Sequence, residues 1–186
     1  VAENELCYID LKGTKLLAEV IKVSGDKASV QVFESTRGLK GGDSVEFLGK
    51  MLEVSLGPGL LSSVYDGLQN DLTTMTGVFL KRGEYTDPLD HGKLWDFTPL
   101  AAPGDKVQAA SWLGEVKEGW LPHKIMVPFS FNGEYTVKSL APAGQYNIDQ
   151  TIAVLVDAEG TEHNVTMVQK CPVKAAVKGY REKPRP

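Results

Sequence analysis

Over residues 27–33, Ala28, Val30 and Val32 fall on one face and Ser29, Gln31 and Phe33 on the other. That period of two predicts a strand with one face half-buried. Residues 14–23 form an apolar, β-branched run. Ser24-Gly25-Asp26 between the two runs fits a hairpin turn, because glycine tolerates positive φ. Residues 44–48 and 51–56 read as two more strands joined by a turn at Gly49-Lys50, with 38–43 as the loop that feeds them. Four or more short strands with tight turns predict a small antiparallel barrel or sandwich. Leu60, Leu61, Val64, Tyr65 and Leu68 recur at helical spacing and predict a helix over 60–68, too short to stand alone.

Beyond this point the pattern is again that of strands, over 107–110, 112–117, 125–127, 135–140, 148–156 and 163–168, with Gly or Pro at nearly every junction. Residues 87–104 hold Pro88, Gly92, Pro99, Pro103 and Gly104 and read as a long irregular loop. None of the ten prolines precedes Pro58. The chain is therefore expected to be mainly β, with a barrel over 1–72, a second β-rich unit over 73–168 and a connector over 169–186.

Charge sharpens this division. Residues 1–76 carry net −4, 77–168 net −5 and 169–186 net +5, so an acidic body ends in a basic tail. The tail's charges are spread singly among Val173, Ala175, Ala176 and Val177, which suits a solvated connector rather than a nucleic-acid or lipid site. Apolar residues at 42% and charged residues at 24% over 186 positions are ordinary for a globular protein. No run approaches the roughly 20 apolar residues of a membrane helix. Cys7 and Cys171 are too few to staple a domain this size and read as reduced thiols of a cytoplasmic protein.

The search for chemistry is negative. A phosphate loop needs Gly-x-x-x-x-Gly-Lys-Ser/Thr, but Met51 follows Gly49-Lys50 and Gly42 stands seven residues before Gly49. His91, His123 and His163 each lack a Cys or His partner within five residues, so no zinc spacing exists. Ser62, Ser63 and Ser111 lack the Gly-x-Ser-x-Gly elbow. Lys170 and Lys174 flank Cys171, yet an incidental thiol is the simpler reading. Asp87/Asp90 and Glu115/Glu118 lie close in sequence without making an acid–base pair. No catalytic, cofactor-binding or metal-ligating residue is assigned.

One ordered set of segments is specific. Ala18-Glu19-Val20-Ile21, the run from Gly25 to Glu34, Thr36-Arg37-Gly38-Leu39, Gly42-Asp43-Ser44-Val45 and Gly49-Lys50 come first. Leu52 to Leu61, with an unusual Leu-Gly-Pro-Gly exit, and Tyr65-Asp66-Gly67-Leu68-Gln69 follow. Then come Gly77 to Gly83, Leu94-Trp95-Asp96-Phe97-Thr98-Pro99, Gly104-Asp105-Lys106-Val107, Leu113-Gly114-Glu115-Val116, Lys124 to Pro128, Gly133 to Val137 and Met167 to Lys174. Together they resemble the N-terminal region of the catalytic A subunit of V-type and A-type rotary ATPases, over nearly the whole chain. Asn70-Asp71-Leu72 stands where that family usually has Arg-Pro-Leu, Cys171 where Trp is usual and Lys174 where Arg is usual. These departures point to a divergent, bacterial branch.

The resemblance implies a fragment of a motor that couples ATP hydrolysis or synthesis to ion movement. The phosphate loop, and with it ATP and Mg, would lie in a domain after Pro186. The barrel would join neighbouring barrels and hold a ring of alternating A and B subunits. The second unit, the family's bulge or non-homologous region, would be of barrel-sandwich type and project toward peripheral-stalk subunits. Trp95, Phe97 and Trp120 are guesses for that contact, weighed against the heavier expectation that some of them are core. The parent would be a cytoplasmic, peripheral part of a membrane complex, with no nucleic-acid partner and no insertion of its own. A compact six-stranded cylinder at the front is the fold on which this identification is made to depend. Two other classes stand beside it. Residues 104–157 have the rhythm of a biotinyl or lipoyl carrier with Lys124 as the modified residue, and a freestanding protein-binding β module fits the same composition.

Overall fold

A computed structural model describes residues 1–61, 63–73, 83 and 85–175. The described residues contain strands and no α-helix. The first sheet is built from β1 (Glu5–Leu11), β2 (Thr14–Ser24), β3 (Lys27–Val32) and β4 (Val45–Met51), all antiparallel, in the order β3-β2-β1-β4. β1 and β2 are central and buried on both faces. Cys7, Ile9 and Ala18 pack on one face beneath Val30, Val32 and Leu39. Leu6 pairs with Glu19, and Tyr8 with Leu17, on the other. A central strand covered on both sides reads as a continuous apolar run. Leu-Cys-Tyr-Ile is such a run, and β1 escaped the alternation rule for that reason.

Two expectations for this unit are corrected. There is no turn at Gly49-Lys50: β4 runs straight through, and Gly49 adopts φ +67° inside the strand opposite a register shift in β1. The Gly49 N–H donates to Glu5 Oε1 at 2.8 Å, which fixes the irregularity as a β-bulge rather than a hairpin. Among the described residues there is also no six-stranded cylinder. β3 and β4 remain the two edges of an open sheet, because β5 (Glu53–Leu56) leaves to pair elsewhere.

The helix expected over 60–68 does not form among the described residues, which exclude Ser62. The Asp66 carboxylate accepts from the Leu68 and Asn70 N–H groups at 2.9 and 2.8 Å, and a bridge joins Tyr65 to Asp71. Aspartate competes in this way with helical hydrogen bonding, and a nine-residue helix has little cooperativity to resist it.

The second unit holds two more four-stranded antiparallel sheets. One runs β13 (Glu162–Val165), β12 (Ala153–Val156), β10 (Tyr135–Leu140), β7 (Lys106–Val107). The other runs β11 (Gly144–Tyr146), β6 (Trp95–Pro99), β8 (Trp112–Glu118), β9 (Leu121–Met126). Phe97, Leu113, Val116 and Ile125 from one sheet share a single buried cluster with Val107, Val137, Leu155 and Val165 from the other, which is a sandwich. β6 lies inside the stretch read as irregular loop. There Trp95 and Phe97 are buried and Asp96 and Thr98 exposed, a clear alternation that the surrounding prolines conceal. Ile148 and Ile152 are also in the core although 148–152 is not strand. Finally β14 (Gln169–Pro172), the opening of the basic connector, pairs antiparallel with β5, Gln169 opposite Leu56 and Pro172 opposite Glu53.

Candidate functional site

The sequence candidates resolve into structural hydrogen bonds. Each histidine is held by carboxylates. His91 spans Asp149 at 2.7 Å and Asp87 at 2.9 Å, His163 Nε2 lies 2.9 Å from Asp157, and His123 Nδ1 lies 2.6 Å from Glu118. The hydrogen bonds to Asp149 and Asp87 push the His91 imidazole up from its ordinary pKa, while the His163 bond helps to hold Asp157 below the usual carboxylate range. His163 also sits edge-on to Phe131 and Tyr135. Among the described residues no group of three or more His, Cys, Asp or Glu is arranged to hold a metal. Ser111 Oγ accepts the Gln108 N–H, and Ser62 lies outside the described residues. Cys7 is a buried free thiol, pushed up by burial and then by Glu5, and Cys171 is a free thiol in β14.

Lys124 does not suit a carrier lysine. It lies inside β9 opposite Glu115, with which it is ion-paired, and its ammonium stands 4.9 Å from the Trp112 ring centroid. A carrier needs its lysine free at a hairpin tip, and the tip here is Gly119-Trp120. The aromatic guesses separate. Trp95 and Phe97 are core residues and not contact residues, whereas Trp120 is 85% exposed.

What these elements do build is a joint between the two units. Leu56 ends β5, and Gly57-Pro58-Gly59 turns the chain against the second unit. Gly57 fits closely there: an added Cβ would meet Val168 at 3.0 Å and the Met167 carbonyl at 3.2 Å. Gly59 carries φ +113°. The Gly59 and Leu61 N–H groups donate to Glu118 Oε1 at 2.7 and 3.0 Å, and the other Glu118 oxygen holds His123. A buried carboxylate that receives two N–H groups and an imidazole is satisfied, and charge-assisted bonds of this kind are the strong ones. A groove of about 260 Å³ lies alongside, walled by Leu56, Leu60, Ile125 and Met167.

On the far side of β5 the Gln69 side-chain amide makes a strand-like pair of bonds with Ser55, at 2.7 Å each. Gln69 itself is at φ +63° in the Asp66–Asn70 loop. Asn70, where arginine is usual in the resembling family, is buried. Its Nδ2 donates to Asp66 and its Oδ1 accepts the Thr86 N–H. Burial works to raise Asp66, but the Asn70 and Leu68 bonds outweigh it and hold the carboxyl below its ordinary range. Two further ties reach the first sheet. Tyr85 Oη accepts the Leu17 N–H at 3.0 Å and donates to Glu34 at 2.6 Å; burial, then Glu34, pushes the phenol well up. Lys174 Nζ bonds the buried Glu19 at 2.8 Å and Asn4 at 3.3 Å. Sequence reading weighed Glu118 only beside Glu115, not as the anchor of this joint, and missed Tyr85 and the Glu19–Lys174 pair. The bonds from Glu118 to Gly59, from Tyr85 to Glu34 and from Lys174 to Glu19 span 51 to 155 positions, and no local pattern marks such bonds.

Comparison with known proteins decides the family. The sequence model of the ATP synthase alpha/beta family β-barrel domain matches residues 1–49, and that of the ATP synthase alpha/beta subunit barrel-sandwich domain matches residues 86–174. The chain belongs to the ATP synthase alpha/beta family. Its sheets fit the two domains in order, a sandwich in the second and an open four-stranded sheet in the first. Within the family it is 47% identical to the V-type ATP synthase alpha chain of Treponema denticola over 189 residues, covering 100% of this chain and 32% of that one. The corresponding chain of Borrelia garinii subsp. bavariensis is 45% identical over 186 residues, and that of Chlamydia caviae 46% over 178, covering 98% and 95% of this chain. The chain spans about a third of the length of these curated relatives. The absence of the closed cylinder therefore does not overturn the family; the order and extent of the match carry it.

Proposed function

We propose that this chain is the non-catalytic β scaffold of a V-type ATP synthase alpha chain. In this reading the first sheet takes part in assembling the ring with B subunits. The barrel-sandwich unit projects as a contact arm toward peripheral-stalk subunits. ATP and Mg are handled by the remainder of the parent, which works as a cytoplasmic, peripheral part of an ion-translocating complex. The supporting observation is the 44–47% identity to V-type alpha chains over 95–100% of this chain. The tight ties among β5, β14, Glu118 and Lys174 suit a body that carries load between subunits while a neighbouring domain changes shape. No helix among the described residues is long and apolar enough to cross a membrane.

The test has two arms. The 186-residue chain, mixed with the B chain of the same complex, should co-elute and give a mixed species by native mass spectrometry. Calorimetric titration with Mg-ATP should give no binding heat at micromolar concentrations. Micromolar nucleotide affinity of this chain by itself would refute the scaffold reading, and no association with the B chain at tens of micromolar would refute the ring role.

A further inference from the structure

Asp66-Gly67 and Asn132-Gly133 are the two places where glycine follows a residue with a carbonyl carbon at Cγ. In such a pair the glycine nitrogen can attack that Cγ and close a succinimide ring, because no Cβ on the glycine hinders the approach. The fold treats the two pairs differently. The Asp66 carboxylate accepts the Leu68 N–H at 2.9 Å and the Asn70 N–H and Nδ2 at 2.8 Å each. Held by three donors, it cannot turn toward the Gly67 nitrogen, and an ionised carboxylate offers no leaving group. Asn132 is exposed, in the irregular connection between β9 and β10. Its Nδ2 reaches the Ser130 carbonyl at 3.3 Å, long for a hydrogen bond. Among the described residues no donor engages its Oδ1 and no acceptor engages the Gly133 N–H. A Cβ added at Gly133 would meet nothing within 4 Å, so the approach is open.

The other asparagines are held or hindered. Asn70 is buried and bonded through both side-chain atoms. Asn147 Oδ1 accepts the Asp149 and Gln150 N–H groups, and the residue after it is the buried Ile148. Asn164 lies in the β12–β13 ladder opposite Val154, where the backbone is fixed in extended form. Asn4 accepts from Lys174, and the nitrogen that would attack it, that of Glu5, is bonded to the Ala2 carbonyl at 3.3 Å.

We infer that Asn132 is a self-modification site of the folded protein, converting to isoaspartate and aspartate through a succinimide closed by Gly133. The Gly133 nitrogen gives up its proton to solvent and bonds to Asn132 Cγ. The Cγ–Nδ2 bond breaks, and the side-chain nitrogen departs as ammonia. Water then opens the ring. Attack at the main-chain carbonyl leaves isoaspartate, and attack at Cγ leaves aspartate. Isoaspartate lengthens the main chain by one carbon between Phe131 and Tyr135. Those two rings stand 5.0 Å apart, and both lie edge-on to His163, at 5.5 and 5.4 Å. The added carbon therefore displaces this ring cluster, whereas Asn132→Asp adds the same charge at unchanged chain length. The inference is independent of the ring and stalk roles, since it concerns the chemistry of one loop.

The full 186-residue chain, aged at mildly alkaline pH and mapped by mass spectrometry, tests it. Isoaspartate is counted by methyl transfer from S-adenosylmethionine with an isoaspartyl carboxyl methyltransferase. A synthetic peptide of residues 128–137 supplies the rate of the same dipeptide without a fold. Asn132 in the folded chain should convert within about tenfold of the peptide rate, and about tenfold or more faster than any other asparagine. Isoaspartate at Asp66 should appear only after urea unfolding. Asn132→Gln, which must close a larger ring, should lose most of the methyl incorporation. This position is exposed, so the variant should melt with the parent. In the isolated isoaspartate form the NMR signals of the Phe131, Tyr135 and His163 rings should move, and in Asn132→Asp they should stay nearly in place. Conversion slower than the tenfold limit, another asparagine reacting faster, methylation that survives Asn132→Gln, or ring signals unmoved in the isoaspartate form would each overturn the proposal.

Discussion

Replacing Gly114 with alanine places a methyl carbon 2.2 Å from Phe97 Cε2, 2.4 Å from Cζ and 2.8 Å from the Thr98 carbonyl oxygen. Gly114 sits in β8, opposite Pro99 of β6, in a sandwich core where Phe97 is 1% exposed. The Phe97 ring cannot swing away freely, because it stands edge-on to Tyr146 with centroids 6.1 Å apart. Overpacking of this kind costs about 1–3 kcal/mol. The upper end applies here because one of the clashing atoms is backbone. Against a total stability of about 5–15 kcal/mol, that is a large fraction. For a chain of this length, about 3 kcal/mol corresponds to a fall in Tm of about 6–12 °C.

Urea unfolding followed by tryptophan fluorescence reads the cost, and a double-mutant cycle with Phe97→Ala identifies its source. Phe97→Ala alone should cost about 3–5 kcal/mol through the cavity it leaves. In the double variant the new methyl occupies part of that space, so the two costs should fall short of additivity by about 1 kcal/mol or more. The Thr98 contact persists, so the rescue is incomplete. A Gly114→Ala cost within about 0.5 kcal/mol of zero, or strict additivity, would show that glycine is not required here by the phenylalanine.

Glu118→Gln keeps the shape but removes the charge that receives the Gly59 and Leu61 N–H groups; it should cost about 1.5–3 kcal/mol, and hydrogen exchange at those two amides should accelerate while β10 stays protected. Lys174→Met strands the Glu19 carboxylate, which is 5% exposed; because Lys174 is half in water the cost should be about 1–3 kcal/mol, and adding Glu19→Leu should recover most of it in the same unfolding assay. His91 is raised by Asp149 and then Asp87, so its contribution to stability is complete below the unfolded value near 6.5 and is lost as pH rises through the higher folded value. An NMR titration should place the His91 midpoint above that of a free histidine and find it lowered by Asp149→Asn. A midpoint unmoved by that change would remove Asp149 as the cause.

Where each strand had a solvent face or a short turn, the pattern of the chain was enough. β2 and β3 follow from 14–23 and 27–33, and β10 from 135–140, because their neighbours are close in sequence or their faces differ in polarity. β1 did not follow, since both its faces are covered and alternation vanishes. β6 did not, because prolines and glycines on either side outweighed a five-residue alternation. The failed helix at 60–68 shows local propensity losing to the Asp66 carboxylate and to a turn clamped from outside by Glu118. The carboxylate partners of the histidines were legible only for His91 with Asp87 and His123 with Glu118, four and five residues apart. Asp149 and the joint at Glu118 depend on how distant strands meet, which periodicity does not record.

The β5–β14 ladder carries a further consequence. It sets Leu56 directly across from Gln169, so the intervening 112 residues depart and return through adjacent doorposts a few ångströms apart. A segment inserted between neighbouring points can grow, shrink or be exchanged without stretching what lies outside it. The same geometry predicts that the sandwich can be excised and the gap bridged by a short glycine-containing linker, leaving the front sheet able to fold.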